Sequence, residues 1–233
     1  MNTLYFVRHG ENLANLTKEF SHKKVDYSLT PKGVLQAQQT AAHFANQPID
    51  ASYTSPLKRA LETAQIIVQP HNLDTPIVEA FREINVGSLE GQMITKEVWQ
   101  FYLSIIDDWR NNKPTTMFPD GENLVMLRER MRGAIKDVVT NRINQHIIIV
   151  AHDGVITGSV SDFCANAEFV EIDQLENHNC SITRVTVEMD HGVLAGQLEE
   201  WTAFAHLSGE AAALVSGMPD LETREAEDQH SEC

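Results

Sequence analysis

Two histidines each close an apolar run and open a short polar motif: Arg8-His9-Gly10-Glu11 after residues 3–7, and His152-Asp153-Gly154 after residues 146–151. An imidazole at the C-terminal end of a strand sits where α/β sheets present groups to ligands. A neutral imidazole nitrogen can attack phosphorus at neutral pH without first losing a proton, provided its other nitrogen is held as a donor by a backbone carbonyl. Arginine supplies the complementary half, because its planar fork binds phosphate oxygens in pairs and stays charged at any relevant pH. Arg8 adjoins His9, and Arg59 lies in the block Ser55-Pro56-Leu57-Lys58-Arg59-Ala60. Phosphoryl transfer asks for a nucleophile in line with the leaving oxygen and positive donors around the three equatorial oxygens. His9 is the candidate nucleophile, with Arg8 and His152 as candidate positive donors; from residue type alone Arg59 could equally complement surface carboxylates such as Glu62.

The rest of the chain has to bring these side chains together. Residues 3–7 and 146–151 read as strands, the second apolar without alternation, as a strand buried on both faces of a parallel sheet must be. Adjacent parallel strands would set His9 and His152 face to face. Residues 49–53 make a further short strand, and the β-branched run 75–80 a third candidate leading to Arg82-Glu83. Thr30-Pro31 opens a helix whose core face is expected from Val34, Leu35, Ala41, Ala42 and Phe44, while Leu57, Leu61, Ala64 and Ile67 set the period of another with Arg59 in its first turn.

Residues 95–110 hold Trp99, Phe101, Tyr102 and Trp109 and read as helical cover over the site; with the loop to Gly121 they form a cap insertion, residues 95–121. A long helix is expected from about 122 to 144, and alternating segments 181–188 and 193–201 flank Asp190-His191-Gly192 as a β-hairpin. The predicted architecture is a three-layer αβα sandwich with a mostly parallel central sheet, one antiparallel edge and a helical cap. One domain, residues 1–206, precedes an acidic, flexible tail, residues 207–233, with seven acidic residues against one arginine.

Composition narrows the function classes. With 42% aliphatic and aromatic residues and 22% charged, the chain reads as an ordinary globular protein. A formal net charge of −15 argues against a nucleic-acid or anionic-membrane surface, both of which require concentrated positive charge. Cys164, Cys180 and Cys233 lack disulfide or zinc spacing. Neither a signal peptide nor a span of roughly 20 apolar residues is visible, so a cytoplasmic protein is expected.

Together these blocks resemble the histidine phosphatase, or phosphoglycerate mutase-like, superfamily, in the branch carrying the Arg-His-Gly-Glu motif. The resemblance runs from about Leu4 to Phe204. It rests also on Asn15, Leu29-Thr30-Pro31-Lys32-Gly33, Glu83 with Gly87-Ser88-Leu89-Glu90-Gly91, Gly121-Glu122 and Val150-Ala151-His152. It implies a phosphohistidine on His9, phosphate binding by Arg59 beside Arg8 and His152, neutral donors from Asn15 and Ser21, and Glu83 as the general acid that later activates water. Glu83 would need its pKa raised by burial or by carboxylates such as Glu90. Related acid phosphatases place the proton donor directly after the second histidine, here Asp153, which stays open as a rival and as a substrate contact.

The other histidines, His22, His43, His71, His146, His178, His191, His206 and His230, read as surface or structurally satisfied residues. The resemblance implies a phosphatase acting on a small phosphorylated metabolite, with no cofactor or metal; a homodimer is left open. A phosphoglycerate mutase is the alternative, although no adjacent arginines occur to grip a substrate carboxylate. A non-catalytic phosphate-binding scaffold is the third reading.

Overall fold

Isoleucine and valine at positions 147–150 are hidden on both faces, and that burial places their strand in the middle of the sheet. In the computed structural model, which describes residues 1–213 and 215, the chain runs β1 (Asn2–Arg8), α1 (Leu13–Thr17), α2 (Pro31–Phe44), β2 (Ala51–Thr54), α3 (Lys58–Ile67), α4 (Lys96–Arg110), α5 (Leu124–Val139), β3 (His146–Ala151), α6 (Asp153–Phe163), α7 (Phe169–Ile172), β4 (Ile182–Asp190) and β5 (Val193–Ala203). The sheet order is β2-β3-β1-β4-β5. β3 pairs in parallel with β1 and β2, while β4 runs antiparallel to β1 and to β5, so the hairpin supplies the antiparallel edge.

Alternation of side chains along each strand divides the core into two layers. Leu4, Phe6, Ile147 and Ile149 face α5 and α6 through Leu127, Met131, Val155 and Val160. Tyr5, Val7, Ile148 and Val150 face α2 and α3 through Phe44, Ala60, Ala64 and Ile67. The result is the expected three-layer α/β sandwich. The register sets Arg8 opposite Ala151, so β1 and β3 end side by side and deliver His9 and His152 to one edge.

Local chemistry sets the helix limits. Thr30 caps α2 by accepting from Gly33 N with Pro31 in the first turn, Thr95 caps α4 and Asn123 caps α5. α5 stops at Val139 rather than continuing to 144, and Asn141 and Asn144 beyond it take left-handed backbone at φ 61° and 54°.

Three expectations are corrected. The buried face of α2 is Gly33, Gln36, Ala37, Thr40, Ala41 and Phe44, whereas Ala42 is exposed and Val34 and Leu35 are half-buried. The inward stripe is partly polar because Gln36 accepts from Glu11 N at 2.9 Å and donates to Ala211 O at 3.1 Å. Residues 75–80 are not a strand: only Ile77 bridges to Thr54, Pro76 lacks an N–H, and Glu79–Phe81 already coils into a 3-10 turn. The packed chain also continues beyond His206, since Leu207 and Ala211 are buried against Ala37 and Cys180 and the segment Gly209–Ala212 forms a 3-10 turn. The rest of the acidic segment, residue 215 apart, lies outside the described residues. No helix among the described residues is long and apolar enough to cross a membrane.

The end of β1 is pressed against the start of α2. Glu11 is buried there, with Oε1 accepting from Thr30 Oγ1 at 2.8 Å and Oε2 pairing with Lys32 Nζ at 2.9 Å. A Cβ on Gly33 would meet Glu11 O at 2.1 Å. Replacing glycine by alanine within a helix ordinarily gains about 1 kcal/mol. Here we expect Gly33→Ala to lose about 1–3 kcal/mol through the forced separation. Urea unfolding measures this, and a stabilised variant would contradict the contact.

Candidate active site

The backbone around His9 is fixed on every side. His9 N donates to Ala151 O at 3.1 Å, its carbonyl accepts from Asn179 Nδ2 at 2.9 Å, and Gly10 N donates to Thr63 Oγ1 at 3.0 Å. Cys180 N donates to Arg8 O at 2.9 Å, so the block Asn179-Cys180-Ser181 buttresses the end of β1. The His9 ring, 4% exposed, sets Nδ1 2.7 Å from Gly10 O. A carbonyl only accepts, so Nδ1 carries the proton and Nε2 the lone pair. Arg59 Nε donates to that Nε2 at 3.0 Å. Burial, then the charges of Arg59 and Arg8, hold the His9 pKa well below the ordinary imidazole value.

Arg59, 3% exposed, is aimed by the loop that follows α1: Nη1 donates to Ser21 Oγ at 2.7 Å and Nη2 to Ser21 O at 2.8 Å. Burial brings its pKa down to about 10, which leaves it charged at neutral pH. The loop itself is clamped by Glu90, whose Oε1 accepts from the backbone N–H groups of His22, Lys23, Lys24 and Val25 at 2.5–3.2 Å. Burial raises the Glu90 pKa, but the four N–H donors outweigh it and bring the carboxylate below its usual range. Ser21 therefore orients Arg59, and Glu90 orients Ser21.

Arg8 donates through Nη1 to Asn177 O, and the same nitrogen lies 3.8 Å from Asp153 Oδ2. Its Nε has no hydrogen-bond partner among the described residues. Asn15 Oδ1 accepts from Asn12 N at 3.0 Å and Asn179 Nδ2 at 3.2 Å, leaving the amide nitrogen as its remaining donor.

His152 is fully buried, its ring centroid 5.1 Å from that of His9. Burial first, then Arg59, keeps its pKa well below the ordinary value, so it is a neutral donor here rather than the positive one expected from sequence. Ser55 Oγ, which accepts from Leu57 N at 3.3 Å, lies 2.7 Å from His152 Nε2. His152 Nδ1 has no partner among the described residues.

Glu83 reaches the site from a backbone held by Arg130, which donates to Ala80 O, to Arg82 O at 2.9 Å and to Glu83 O at 3.3 Å while pairing with Glu122 at 2.7 Å. Glu122 also accepts from Asn85 N at 2.8 Å, and His22 Nδ1 lies 2.8 Å from Glu83 O. The Glu83 carboxylate accepts from Ile84 N at 2.8 Å, Val155 N at 2.9 Å and Gly154 N at 3.2 Å. All three donors favour the anion, and Gly154 N and Val155 N do so from the start of α6. Burial opposes them and wins with help from Asp153, so the pKa is raised. The carboxylate that assists is Asp153, not Glu90 as expected from sequence. Gly154 permits this approach, since a Cβ there would meet Ile84 Cδ1 at 2.6 Å and Glu83 Oε1 at 2.9 Å. Asp153 opens α6 with its side chain 44% exposed and accepts from Thr157 Oγ1 at 3.2 Å.

Seven of the eight residues singled out from sequence, Arg8, His9, Asn15, Ser21, Arg59, Glu83 and Asp153, line one cleft of 580 Å³, and the buried ring of His152 packs beside that of His9. The aromatic side chains of α4 form its far wall, with Trp99, Tyr102 and Trp109 in the lining. Sequence reasoning missed the positioning roles of Ser55, Thr63, Arg130 and Asn177. Ser55 left a trace in the block that carries Arg59; the other three carry no local signal. Glu90→Ala would strand four backbone donors and release Arg59, and we expect about tenfold weaker binding of inorganic phosphate by calorimetry. Unchanged affinity would contradict the clamp.

Comparison with known proteins agrees with this geometry. Residues 4–199 match the sequence model of the Histidine phosphatase superfamily (branch 1). The chain is 32% identical to a probable phosphoglycerate mutase GpmB of Proteus mirabilis, over 79% of this chain and 85% of that one. It is 27% identical to a putative phosphoserine phosphatase 2 of Hydrogenobacter thermophilus, over 83% and 94%. A mutant phosphoserine phosphatase from Entamoeba histolytica, solved in complex with phosphoserine, superposes with a TM-score of 0.71 at 25% identity, over 89% of this chain and all of that one. A match over residues 4–199 places the chain in the histidine phosphatase superfamily, branch 1.

Proposed function

We propose that this protein hydrolyses phosphate monoesters of small metabolites through a phosphohistidine on His9, with Glu83 as general acid and then general base. The observation that carries the reading is the His9 ring, its Nδ1 tied to Gly10 O and its Nε2 lone pair turned towards Arg59.

In the first step Nε2 attacks phosphorus, the bond from phosphorus to the alcohol oxygen breaks, and the Glu83 proton passes to the leaving alkoxide. In the second step water attacks the phosphohistidine, Glu83 takes a proton from that water, and the phosphorus–nitrogen bond breaks to release inorganic phosphate. Arg8 and Arg59 hold the equatorial oxygens as charged donors; the Asn15 amide and His152 Nδ1 add neutral ones. Glu83 is favoured over Asp153 because it is buried with a raised pKa, while Asp153 is half-exposed and faces Arg8.

The relatives named above include both a phosphatase and a mutase, which differ in the fate of the loaded histidine. Hydrolysis is favoured here by the cap: its cleft-lining arginine, Arg110, already pairs with Asp107 at 2.6 Å and with Asp173, and is not free to hold a substrate carboxylate.

The test is release of inorganic phosphate from p-nitrophenyl phosphate in the presence of chelator, alongside an assay for conversion of 3-phosphoglycerate to 2-phosphoglycerate. Hydrolysis without conversion is expected; the reverse would make the protein a mutase. The first step needs neutral His9, whose pKa is lowered, and protonated Glu83, whose pKa is raised. The pH profile of kcat/KM is therefore a bell with its acid limb below the ordinary imidazole value and its basic limb above the ordinary carboxylate value. Glu83→Gln should remove the basic limb and lower kcat by about 10²–10⁴-fold.

A further inference from the structure

The apolar side chains that line the His9 cleft are of two kinds. Ile84, Ile106, Trp109 and Phe169 are buried members of the main core, and that packing accounts for them. Leu103, Leu175 and Val215 line the same cleft but belong to none of the packed apolar cores among the described residues. Leu175 is 54% exposed, while Leu103 and Val215 are half-buried. One exposed leucine is ordinary on a protein surface. Here three aliphatic side chains come from three separate stretches, namely α4, the segment after α7 and the chain beyond Ala212, and they share one cleft with the nucleophile. They form an apolar surface continuous with the phosphate subsite, so the group that covers it is the one attached to the phosphate.

Polar groups of the same lining are already used within the protein. Trp109 Nε1 donates to Thr116 O at 2.8 Å, and Arg110 pairs with Asp107 and Asp173. Asp153 lies 3.8 Å from Arg8 and accepts from Thr157 Oγ1 at 3.2 Å, Glu19 accepts from Thr17 Oγ1 at 2.5 Å, and Glu176 Oε2 lies 3.6 Å from His178 Nε2. A sugar or glycerol body would give up its water for groups that have partners already, and each hydrogen bond left unreplaced costs affinity. A neutral apolar body gives up none, and it removes apolar surface from water on both sides of the contact.

We infer that the preferred substrates are phosphate monoesters of neutral, predominantly apolar alcohols of about the size of one aromatic ring on a short linker, with Leu103, Leu175 and Val215 as specificity-determining residues. The inference rests on the phosphatase reading above and names the substrate class of that same site. The cleft volume of 580 Å³ suits such an ester, within the roughly 300–1,000 Å³ of small-molecule sites.

The experiment measures kcat/KM for 2-phenylethyl phosphate and glycerol 3-phosphate, with p-nitrophenyl phosphate alongside, on the native protein, Leu103→Gln and Leu175→Gln. The first two are both esters of primary alcohols, so their ratio reports recognition of the body rather than the ease of losing the alkoxide, and any general loss of activity in a variant cancels. The native ratio is expected to be at least about tenfold in favour of the phenylethyl ester. Glutamine keeps the length of the side chain and suits a helix, and neither leucine supports a packed core, so both variants should fold; each is expected to lower the ratio by about threefold or more. A fall in either variant carries the inference. A native ratio near or below one, or a ratio that neither variant lowers, with phosphate still released, would overturn the specificity inference and leave the phosphatase reading standing. No phosphate release from any of the three esters would overturn both.

Discussion

A neutral imidazole buried beside two guanidinium groups is the constraint from which the rest of the site follows. His9 can stay unprotonated because the charged form would lie out of water and next to like charge. Its ring direction depends on one hydrogen bond, from Nδ1 to the carbonyl of the next residue, and that carbonyl is fixed only if the backbone around it is fixed. The sheet accomplishes this on one side through Ala151 and Cys180, and α3 on the other through Thr63. Moving any of these by an ångström would swing the nucleophile out of line, so most of the surrounding hydrogen bonds act on orientation rather than on charge.

The acidic protein keeps a positive phosphate subsite by spending its carboxylates elsewhere. Glu90 is absorbed by four backbone amides, Glu122 by Arg130 and Asn85, and Glu11 by Thr30 and Lys32. None of these forms an ion pair with Arg59 among the described residues; its outer nitrogens donate to Ser21. Glu83 is the exception: it lies close enough to be needed chemically, and burial favours its neutral form. Burial thus lowers the His9 pKa and raises that of Glu83, while the guanidinium groups of Arg8 and Arg59 stay beside the imidazole.

What could be read in the sequence was whatever is encoded locally. The strand preceding His9, the fully apolar strand preceding His152, the Thr30-Pro31 helix start and the hairpin turn at His191-Gly192 all appear where their residue types place them. The candidate site was legible because its members terminate such elements. Residues 75–80 misled because β-branched residues state a preference that a single bridge at Ile77 does not fulfil. Gln36 and Thr40 were overlooked on the inner face of α2 because a buried polar residue is recognisable only by a partner distant in sequence, such as Glu11 N or Ala211 O. The same holds for Arg130, which fixes the Glu83 backbone from another helix, and for the neutral state of His152, which depends on burial and on Arg59 rather than on its own motif.

The most direct measurement is to quench the protein in alkali within milliseconds of mixing with a phosphate monoester and to locate the added phosphate by tandem mass spectrometry. The account predicts an acid-labile, alkali-stable phosphate on the peptide containing His9, on the Nε2 nitrogen, formed before free phosphate accumulates. Turnover with no such adduct, or with the phosphate on any other side chain, would contradict it.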